Sequence, residues 1–545
     1  MSEPNPFPQP NGGPPAMLGG LLAWLLSHTA EAMLGLIIGL IAARVIRGRH
    51  LHWSWAALPL PVIVLAGNDM GGLTLIAAVA ALTATRSGRR RHRLDRQTGG
   101  DLAALARVRR TPLDAARVAA ARLMGAVRAP VAASRPDRSG RFLIGRDQRG
   151  RAVSVALQDG ASGRHTLVVG ATGSGKTVTQ TALALLAIEQ GSGAVIVDPK
   201  GDQAMCSAVR DAAARRGRAF VLWTPGGGSV YNPFGRGSDT EIADKVLAGE
   251  RFTEPHYLRQ AQRYLGHAVR ALRASGTEVS LQALVAQLDP QRLEVLSRSL
   301  DEDRARATQD YLDSLTTRQR ADLAGVRDRL AILAESDVGV WLDPASGSGG
   351  SFDLLEQVLA RSVVYFSLEA DSRPLLTQML GAAIVQDLQT AVASLQGRPT
   401  PTLIVIDEFS AIAAEQVVRL FGRARSAGFS LLLGTQEISD LRPSGGAGLL
   451  EPIMGNLSLL IAHRQVVPAS AELIASVAGT RGAWRTSHRS DGSITRTRTR
   501  EGVLGRDDVM GLARGWAAVI GLGEGGRARI ARILPPQLSD GRGPR

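Results

Sequence analysis

Cysteine, lysine and aromatic residues are all scarce in this 545-residue chain. Because Cys206 is the only cysteine, no disulfide can form within the chain, and its folding does not require an oxidising compartment. Aromatic residues make up 4% of the sequence, which disfavours nucleic-acid binding through bases stacked on side chains. The chain is too long for one ordinary domain, so two or three domains are expected.

Acidic residues are outnumbered by basic ones, 49 against 64, which gives a formal net charge of +15. This excess indicates an anionic partner, either nucleic acid or anionic lipid, and composition alone does not choose between them. The basic residues are nearly all arginine, since the only lysines are Lys176, Lys200 and Lys245. An ammonium and a planar guanidinium bind phosphate with different geometry. We therefore interpret Lys176 and Lys200, which lie in the motifs below, as functional; Lys245 is equally compatible with chance.

The N-terminal part of the sequence predicts a membrane anchor. Residues 1–16 are rich in Pro, Gly and Asn and are expected to form a flexible leader. Within the anchor, residues 17–96, the apolar segments 17–46 and 55–85 are each long enough to cross about 30 Å of hydrocarbon as a helix. Six arginines between 86 and 96 then predict that the body of the protein lies in the cytoplasm. Polar residues interrupt both segments and arginines lie in the loop between them, so a re-entrant segment stays an alternative.

The remainder of the chain predicts an α/β domain interrupted by helices. After a helical linker over 97–140, short apolar runs alternate with helical patterns in residues 141–238 and 344–535. This alternation is typical of a largely parallel sheet with helices on both faces. Only helical patterns occur over 239–343, which predicts an all-α insertion, and residues 536–545 form a short tail.

The strongest motif is the segment Gly-Ala-Thr-Gly-Ser-Gly-Lys-Thr at 170–177, which matches the phosphate-binding loop GxxxxGK[ST] at every fixed position. A strand-like run precedes it and a helical pattern follows, so backbone N–H groups and a helix N-terminus are expected to converge on phosphates. Lys176 is expected to bridge the β- and γ-phosphates, and the Thr177 hydroxyl to ligate Mg²⁺. The residues predicted to bind nucleotide are Gly170, Ala171, Thr172, Gly173, Ser174, Gly175, Lys176 and Thr177.

A second motif is an apolar strand, beginning at Leu403, that ends in two carboxylates, Asp407 and Glu408. Beside a phosphate loop, Asp407 is expected to hold Mg²⁺ and Glu408 to act as general base on the attacking water. Without the loop, the same pattern would also fit a buried strand that ends in solvated acids.

Polar residues close two further predicted strands. Gln436 follows the apolar run after Leu431 and could sense the γ-phosphate or orient water, although an ordinary turn glutamine is the alternative. Asp198 opens the segment Asp-Pro-Lys-Gly-Asp, which contains Lys200 and lies where ligands bind in open parallel sheets.

These motifs resemble the conjugative coupling proteins of type IV secretion systems, the TraG/TraD class, which are relatives of the FtsK/HerA motors. The resemblance covers most of residues 141–535. It implies a RecA-like P-loop domain with an all-α insertion and N-terminal transmembrane helices, with ATP and Mg²⁺ as cofactors. It also implies a homohexamer at the bacterial inner membrane with its motor domain in the cytoplasm. The expected partners are DNA with an attached relaxase-type protein and the components of the secretion channel.

Two sets of arginines are candidates for further roles. In ring ATPases an arginine of the adjacent subunit stabilises the transition state, and Arg423 and Arg425 are the candidates here, with surface or DNA-facing arginines as the alternative. A Ser/Thr-rich stretch predicts either a phosphate-contacting basic ribbon or a solvated hairpin. Its arginines are Arg481, Arg485, Arg489, Arg496, Arg498 and Arg500.

The leading hypothesis is therefore an ATP-driven DNA translocase and substrate receptor for conjugation. An FtsK-like pump of double-stranded DNA is one rival, and the long helical insertion between the two nucleotide motifs favours the coupling class over it. A protein-export ATPase, or a membrane scaffold that only recruits substrates, is the rival without DNA.

Overall fold

The structure is a computed structural model. It describes residues 141–535, apart from 251, 253, 413, 443–447, 489–493 and 524–526, together with the helical residues 37, 39–41, 43 and 44. The chain divides into two compact units, Met1–Ala129 and Pro130–Arg545, and all the elements below belong to the second. Among the described residues, no helix combines the length and the apolar character needed to cross a membrane. Apart from the six residues of the first unit, the two predicted spans lie outside the described residues.

The described strands form one large sheet and three small ones. The strands are β1 (Phe142–Asp147), β2 (Ala152–Val155), β3 (Gln158–Asp159), β4 (Ser162–Gly163), β5 (Thr166–Val169), β6 (Gly193–Asp198), β7 (Phe220–Thr224), β8 (Gly227–Gly228), β9 (Val230–Tyr231), β10 (Ser351–Phe352), β11 (Val363–Ser367), β12 (Thr402–Ile406), β13 (Phe429–Thr435), β14 (Leu459–Ala462), β15 (Thr480–His488), β16 (Ile494–Gly502), β17 (Trp516–Gly521) and β18 (Ala528–Ile533). In the large sheet their order is β2-β1-β18-β17-β14-β5-β13-β12-β6-β11-β7-β8.

The middle of this sheet, from β14 to β7, is parallel, and the strands on either side of it are antiparallel. Every residue of β5, β6, β12, β13 and β14 is buried. Burial on both faces explains why these strands are continuous apolar runs without polar alternation. The prediction of a mixed α/β fold around a large, mainly parallel sheet is therefore confirmed.

Helices cover the sheet and fill the segment between β9 and β10. The helices are α1 (Lys176–Glu189), α2 (Gln203–Arg215), α3 (Asp239–Leu247), α4 (Pro255–Ala274), α5 (Leu281–Gln287), α6 (Pro290–Ser297), α7 (Glu302–Asp313), α8 (Thr317–Ala334), α9 (Leu354–Leu359), α10 (Pro374–Ser394), α11 (Phe409–Ile412), α12 (Ala414–Ala424), α13 (Leu450–Asn456), α14 (Pro468–Val477) and α15 (Arg506–Met510), with short 3₁₀ turns at Gly339–Trp341, Pro344–Ser346 and Ile438–Leu441. The predicted all-α insertion over 239–343 contains α3–α8 and the first of these turns.

The chain leaves the α/β domain for the insertion and returns to it at two neighbouring strands. Its flanking strands β9 and β10 pair in parallel, with Val230 opposite Ser351 and Tyr231 opposite Phe352. Helix α4 supplies much of the insertion's core through its buried Tyr264, Leu265 and Leu272. The insertion therefore departs from paired strands and carries apolar side chains of its own for packing.

Lys245 anchors the insertion to the α/β domain. Its buried ammonium donates hydrogen bonds to the carbonyls of Pro233 (3.1 Å) and Arg236 (2.6 Å) and to Oδ1 of Asp387 on α10 (2.6 Å). The Tyr231 hydroxyl donates to the other oxygen of Asp387, at 2.8 Å. Burial raises the pKa of Asp387, against the opposing effects of Lys245 and Tyr231. Each of the three N–H donors of the ammonium therefore has an acceptor. Lys245 thus has a structural role that its sequence context did not reveal.

The basic stretch near the C-terminus forms a two-stranded antiparallel ribbon, β15–β16. Its register runs from Thr480 opposite Gly502 to His488 opposite Ile494. Arg481, Arg498 and Arg500 are exposed. Both alternatives from the sequence, a phosphate-contacting ribbon and a solvated hairpin, include this architecture, and the contact role stays a prediction.

Candidate nucleotide-binding site

Four neighbouring parallel strands bring the sequence motifs to one edge of the sheet. Strand β13 lies between β5, which leads into the phosphate loop, and β12, which leads into the acidic pair. Val169 is paired with Thr435, Leu433 with Ile406, and Ile406 with Val197. The carboxyl ends of β5, β13, β12 and β6 are therefore level, and ligands bind at such an edge in open parallel sheets.

The phosphate loop has the backbone that anion binding requires. Gly173 and Gly175 have φ of +75° and +111°, a region that favours glycine, and helix α1 begins immediately afterwards at Lys176. The loop is held by hydrogen bonds from Ala171 N to the Arg464 carbonyl (3.0 Å) and from Gly515 N to the Ser174 carbonyl (3.0 Å). A glycine-rich turn into a helix N-terminus presents backbone N–H groups to an anion.

Two lysines and two carboxylates pair with each other beside the loop. Lys176 Nζ lies 2.9 Å from Asp407 Oδ1 and also pairs with Glu408 Oε1. Lys200 Nζ lies 2.8 Å from the same oxygen of Glu408. Lys176, Asp407 and Glu408 have little exposure, so their interaction is weakly screened. Burial by itself lowers the pKa of Lys200, but the hydrogen bond and charge of Glu408 outweigh it and raise the pKa.

The backbone of Glu408, which pairs with both lysines, is strained. Its φ is +44°, a left-handed conformation that costs a non-glycine residue about 1–3 kcal/mol. The neighbouring strand leaves room for the acidic pair only because residue 434 is glycine. A Cβ at Gly434 would collide with Asp407 Oδ1 and with the amide of Gln180.

The oxygen ligands present fit a hard divalent cation. Asp407 Oδ1 is buried and makes an ion pair with Lys176. Within the part of the chain that the structure describes, neither this oxygen nor the buried Ser174 Oγ and Gln180 amide has a hydrogen-bond partner. Among the described residues, no three His, Cys, Asp or Glu side chains form a metal cage. Mg²⁺ does not need one, because it is commonly held by one or two carboxylates together with substrate phosphates and water.

Gln436 lies beside the phosphate loop, as its position at the end of β13 predicted. Its Oε1 accepts a long hydrogen bond, 3.5 Å, from the Thr172 hydroxyl within the loop. A role in sensing the γ-phosphate or orienting water stays a prediction.

Asp198 forms the turn that presents Lys200. Its carboxylate accepts hydrogen bonds from the backbone N–H groups of Lys200 (2.9 Å) and Asp202 (2.5 Å) and from the Tyr365 hydroxyl (2.6 Å). Burial raises the pKa of Asp198 despite these bonds. The structure thus places Lys200 in the site. Asp198 contributes by holding the turn that carries Lys200.

The two candidate arginine fingers lie at the amino ends of the parallel strands, whereas the phosphate loop lies at their carboxyl ends. Arg423 and Arg425 come just before β13, whose seven residues span about 20 Å before they reach Gln436. Arg423 and Arg425 are both exposed, and Arg425 Nη2 donates to the Asn456 carbonyl (2.5 Å) and to Ser458 Oγ (3.4 Å). Neither residue therefore belongs to the phosphate site of its own subunit, and a role across a subunit interface stays a prediction.

His463 supports the phosphate loop and was missed by the sequence analysis. It follows β14, the strand on the other side of β5, and it is fully buried. Its Nε2 lies 2.8 Å from the Thr179 hydroxyl on α1, and its Nδ1 lies 3.1 Å from the Trp516 carbonyl. Burial lowers the pKa of His463 to about 4, so the ring is neutral near pH 7. Its Nδ1–H then donates to the carbonyl, and its Nε2 accepts from the threonine.

We expect His463→Ala to raise the KM for ATP roughly tenfold with a smaller change in kcat. The substitution removes the donor to the Trp516 carbonyl and leaves the Thr179 hydroxyl only its 3.2 Å hydrogen bond to the Gly175 carbonyl. Loss of a partner for a buried polar group costs about 1–3 kcal/mol, but the substitution removes no group that touches the reacting atoms. Steady-state kinetics of His463→Ala and of the conservative variant His463→Gln would measure this. A lower Tm with unchanged KM would show that the histidine only stabilises the fold.

Together, the loop, the acidic strand and the strand between them define a P-loop nucleotide-binding domain. Residues 125–502 match the family described as Type IV secretory system Conjugative DNA transfer, so the chain belongs to that family. The resemblance drawn from the motifs is therefore confirmed.

Individual relatives are more distant. The type 4 coupling protein DotL of Legionella pneumophila is 22% identical over 342 residues, which cover 50% of this chain and 44% of DotL. The chain thus spans under half the length of this relative. The unbound bacterial conjugative coupling protein TrwBdeltaN70 is 19% identical, with a TM-score of 0.55, over 74% of this chain and 96% of that one. TrwB in complex with ADP and Mg²⁺ is likewise 19% identical, with a TM-score of 0.53, over 75% and 98%. At this identity, the likeness to these structures concerns the fold.

Proposed function

We propose that this chain is an ATP-driven DNA translocase that acts as a coupling protein for conjugative transfer through a type IV secretion system. The observation that carries the proposal is the pairing of Lys176 with Asp407 and Glu408 beside a complete phosphate loop, in a member of a DNA-transfer family. ATP and Mg²⁺ as cofactors are supported by the TrwB complex with ADP and Mg²⁺. The net charge of +15 is consistent with a polyanionic substrate.

Each residue of the site has a chemical task in this proposal. Backbone N–H groups of the loop and the ammonium of Lys176 bind the phosphates, while Thr177 and Asp407 hold Mg²⁺. Mg²⁺ held there would neutralise charge that develops on the phosphates during hydrolysis. Glu408 takes a proton from the attacking water, and Gln436 helps to orient that water.

Two lysines pair with the carboxylate of Glu408. Both Lys176 and Lys200 contact Glu408 Oε1. When Lys176 turns to a phosphate, its pair with Glu408 is lost, and the carboxylate that faces the attacking water keeps one lysine partner instead of two. The pairing thus links hydrolysis to the presence of the nucleotide.

The assembly and its location form part of the same proposal. A motor that moves a polymer needs its sites to communicate, which a homohexameric ring provides. Arg423 is the better candidate for a finger between subunits, because the Arg425 guanidinium already donates hydrogen bonds within its own chain. The two apolar N-terminal segments would anchor the ring in the bacterial inner membrane with the motor domain in the cytoplasm. DNA with an attached relaxase-type protein, and the channel components, are the proposed partners.

DNA-stimulated ATP hydrolysis by the full chain in a mild detergent would test this function. We expect single- or double-stranded DNA to raise turnover severalfold, and Lys176→Ala to abolish turnover with and without DNA because the phosphates lose their ammonium. Hydrolysis that no DNA changes, but that a candidate exported protein stimulates, would support the protein-export alternative.

A further inference from the structure

A second basic feature lies at the end of β5 that is opposite the phosphate loop. It is a groove of about 500 Å³, and we call it the arginine groove after Arg141, Arg164, Arg527 and Arg529 at its rim. Arg164 lies two residues before β5, whose far end leads into the phosphate loop, so the two features occupy opposite ends of one strand. No motif in the sequence pointed to this set, because its members are far apart along the chain.

The floor and rim of the arginine groove differ in character. The floor contains buried apolar side chains from three parts of the sheet: Val153, Val155, Leu459 and Val519. None of the described lining residues is Asp or Glu. Arg425 adds a fifth guanidinium close by, 3.4 Å from Oγ of the lining residue Ser458.

Two of the arginines bind carbonyls of the outermost strand of the sheet, so another strand cannot pair with it there. Strand β2 is the last strand on this side of the large sheet, and its carbonyls at Ala152 and Ser154 accept from Arg529 Nη1 (3.4 Å) and Arg141 Nη2 (2.7 Å). An extended peptide would need these carbonyls for a ladder of hydrogen bonds. The remaining N–H groups of the rim suit a ligand that offers acceptors only.

The other two arginines supply cations with no internal partner. Within the described part of the chain, the guanidinium groups of Arg164 and Arg527 make no hydrogen bond or ion pair. Arg164 is partly buried, and guanidinium groups match phosphate in a bidentate geometry. Two unpaired cations along one concavity suit a repeating anion better than a single carboxylate.

We propose that the arginine groove binds phosphates of the nucleic-acid backbone, as a second polyanion site separate from the nucleotide site. The inference rests on the proposed DNA motor and adds to it the surface that holds the DNA. Binding there is independent of base sequence, because the described lining residues offer guanidinium groups and no aromatic side chain.

The test is DNA binding by the full chain in a non-ionic detergent, measured as fluorescence anisotropy of labelled mixed-sequence DNA over a range of salt concentrations. Arg164→Gln/Arg527→Gln removes the two unpaired cations. We expect the slope of log affinity against log salt to become shallower by about 2, with Arg164→Lys/Arg527→Lys restoring most of it. The matched control Arg304→Gln/Arg306→Gln removes the same charge from exposed positions on α7 and should leave the slope unchanged.

The outcomes separate this proposal from the function on which it rests. If the Arg164→Gln/Arg527→Gln variant keeps the wild-type salt slope, the groove proposal is overturned but the motor function is not. If the variant also has a lower Tm, the arginine stems only cover the apolar floor. Equal losses in this variant and the α7 control attribute binding to net charge and also overturn it. Loss of binding to phosphatidylglycerol vesicles with DNA binding intact reassigns the groove to lipid. Absence of DNA binding by the wild-type chain contradicts the motor function itself.

Discussion

Glu408→Gln should lower the rate of ATP hydrolysis at least about 100-fold while ATP still binds. A positioned general base contributes about 10²–10⁴ in rate, and glutamine keeps the shape of the side chain but cannot take the proton. Loss of the negative charge also frees Lys176 and Lys200 from their shared partner, so nucleotide affinity is expected to be equal or higher. Single-turnover hydrolysis and equilibrium binding of a fluorescent ATP analogue would measure the two effects separately.

Glu451→Gln is the matched control for this experiment. Its carboxylate is exposed and pairs with Arg442 on the surface, so the same chemical change there should leave turnover unaltered. If Glu408→Gln kept more than about a tenth of wild-type turnover, another group would have to serve as the base. If instead the variant bound no nucleotide, Glu408 would be a residue that shapes the site.

Lys245→Met should lower the free energy of unfolding by about 3–5 kcal/mol. Removal of one member of a buried ion pair leaves an uncompensated charge, in this case on Asp387, together with two carbonyls without a donor. The loss is expected at the junction between the insertion and the α/β domain. Denaturant unfolding of the full chain, followed by tryptophan fluorescence and by circular dichroism, would measure it.

Two further variants give this stability prediction its controls. Arg306→Met breaks the exposed pair with Glu302 and should cost less than about 1 kcal/mol. Lys245→Met/Asp387→Leu removes both buried charges and should recover part of the loss, since apolar residues can replace a buried ion pair. A cost for Lys245→Met as small as that of the surface variant would contradict the anchoring role.

The sequence predicted those parts of the site that are local along the chain. The loop 170–177 and the carboxylates Asp407 and Glu408 each follow an apolar run that could only be a buried strand, and each motif carries its own chemistry. Because the carboxyl ends of parallel strands meet at one edge, the sequence also predicted that Gln436 and Asp198 lie near them. The rarity of lysine correctly drew attention to Lys200.

What the sequence could not supply was the order of the strands and the depth of individual side chains. His463 lies under the phosphate loop only because β14 is next to β5, and a lone histidine after a short strand carries no signal of that. Lys245 was left open because its partner Asp387 is 142 positions away. Arg423 and Arg425 were chosen because they lie on the helix between the acidic strand and the strand that ends at Gln436, which did not reveal that they lie at the opposite end of the parallel strands.

Displacement of streptavidin from biotin-labelled DNA by the full chain in detergent tests the central claim most directly, because it requires force on DNA as well as hydrolysis of ATP. The account predicts displacement from single- or double-stranded DNA with ATP and Mg²⁺, and none with a non-hydrolysable ATP analogue or with Lys176→Ala. ATP hydrolysis at a normal rate without displacement from either form of DNA would contradict the motor function.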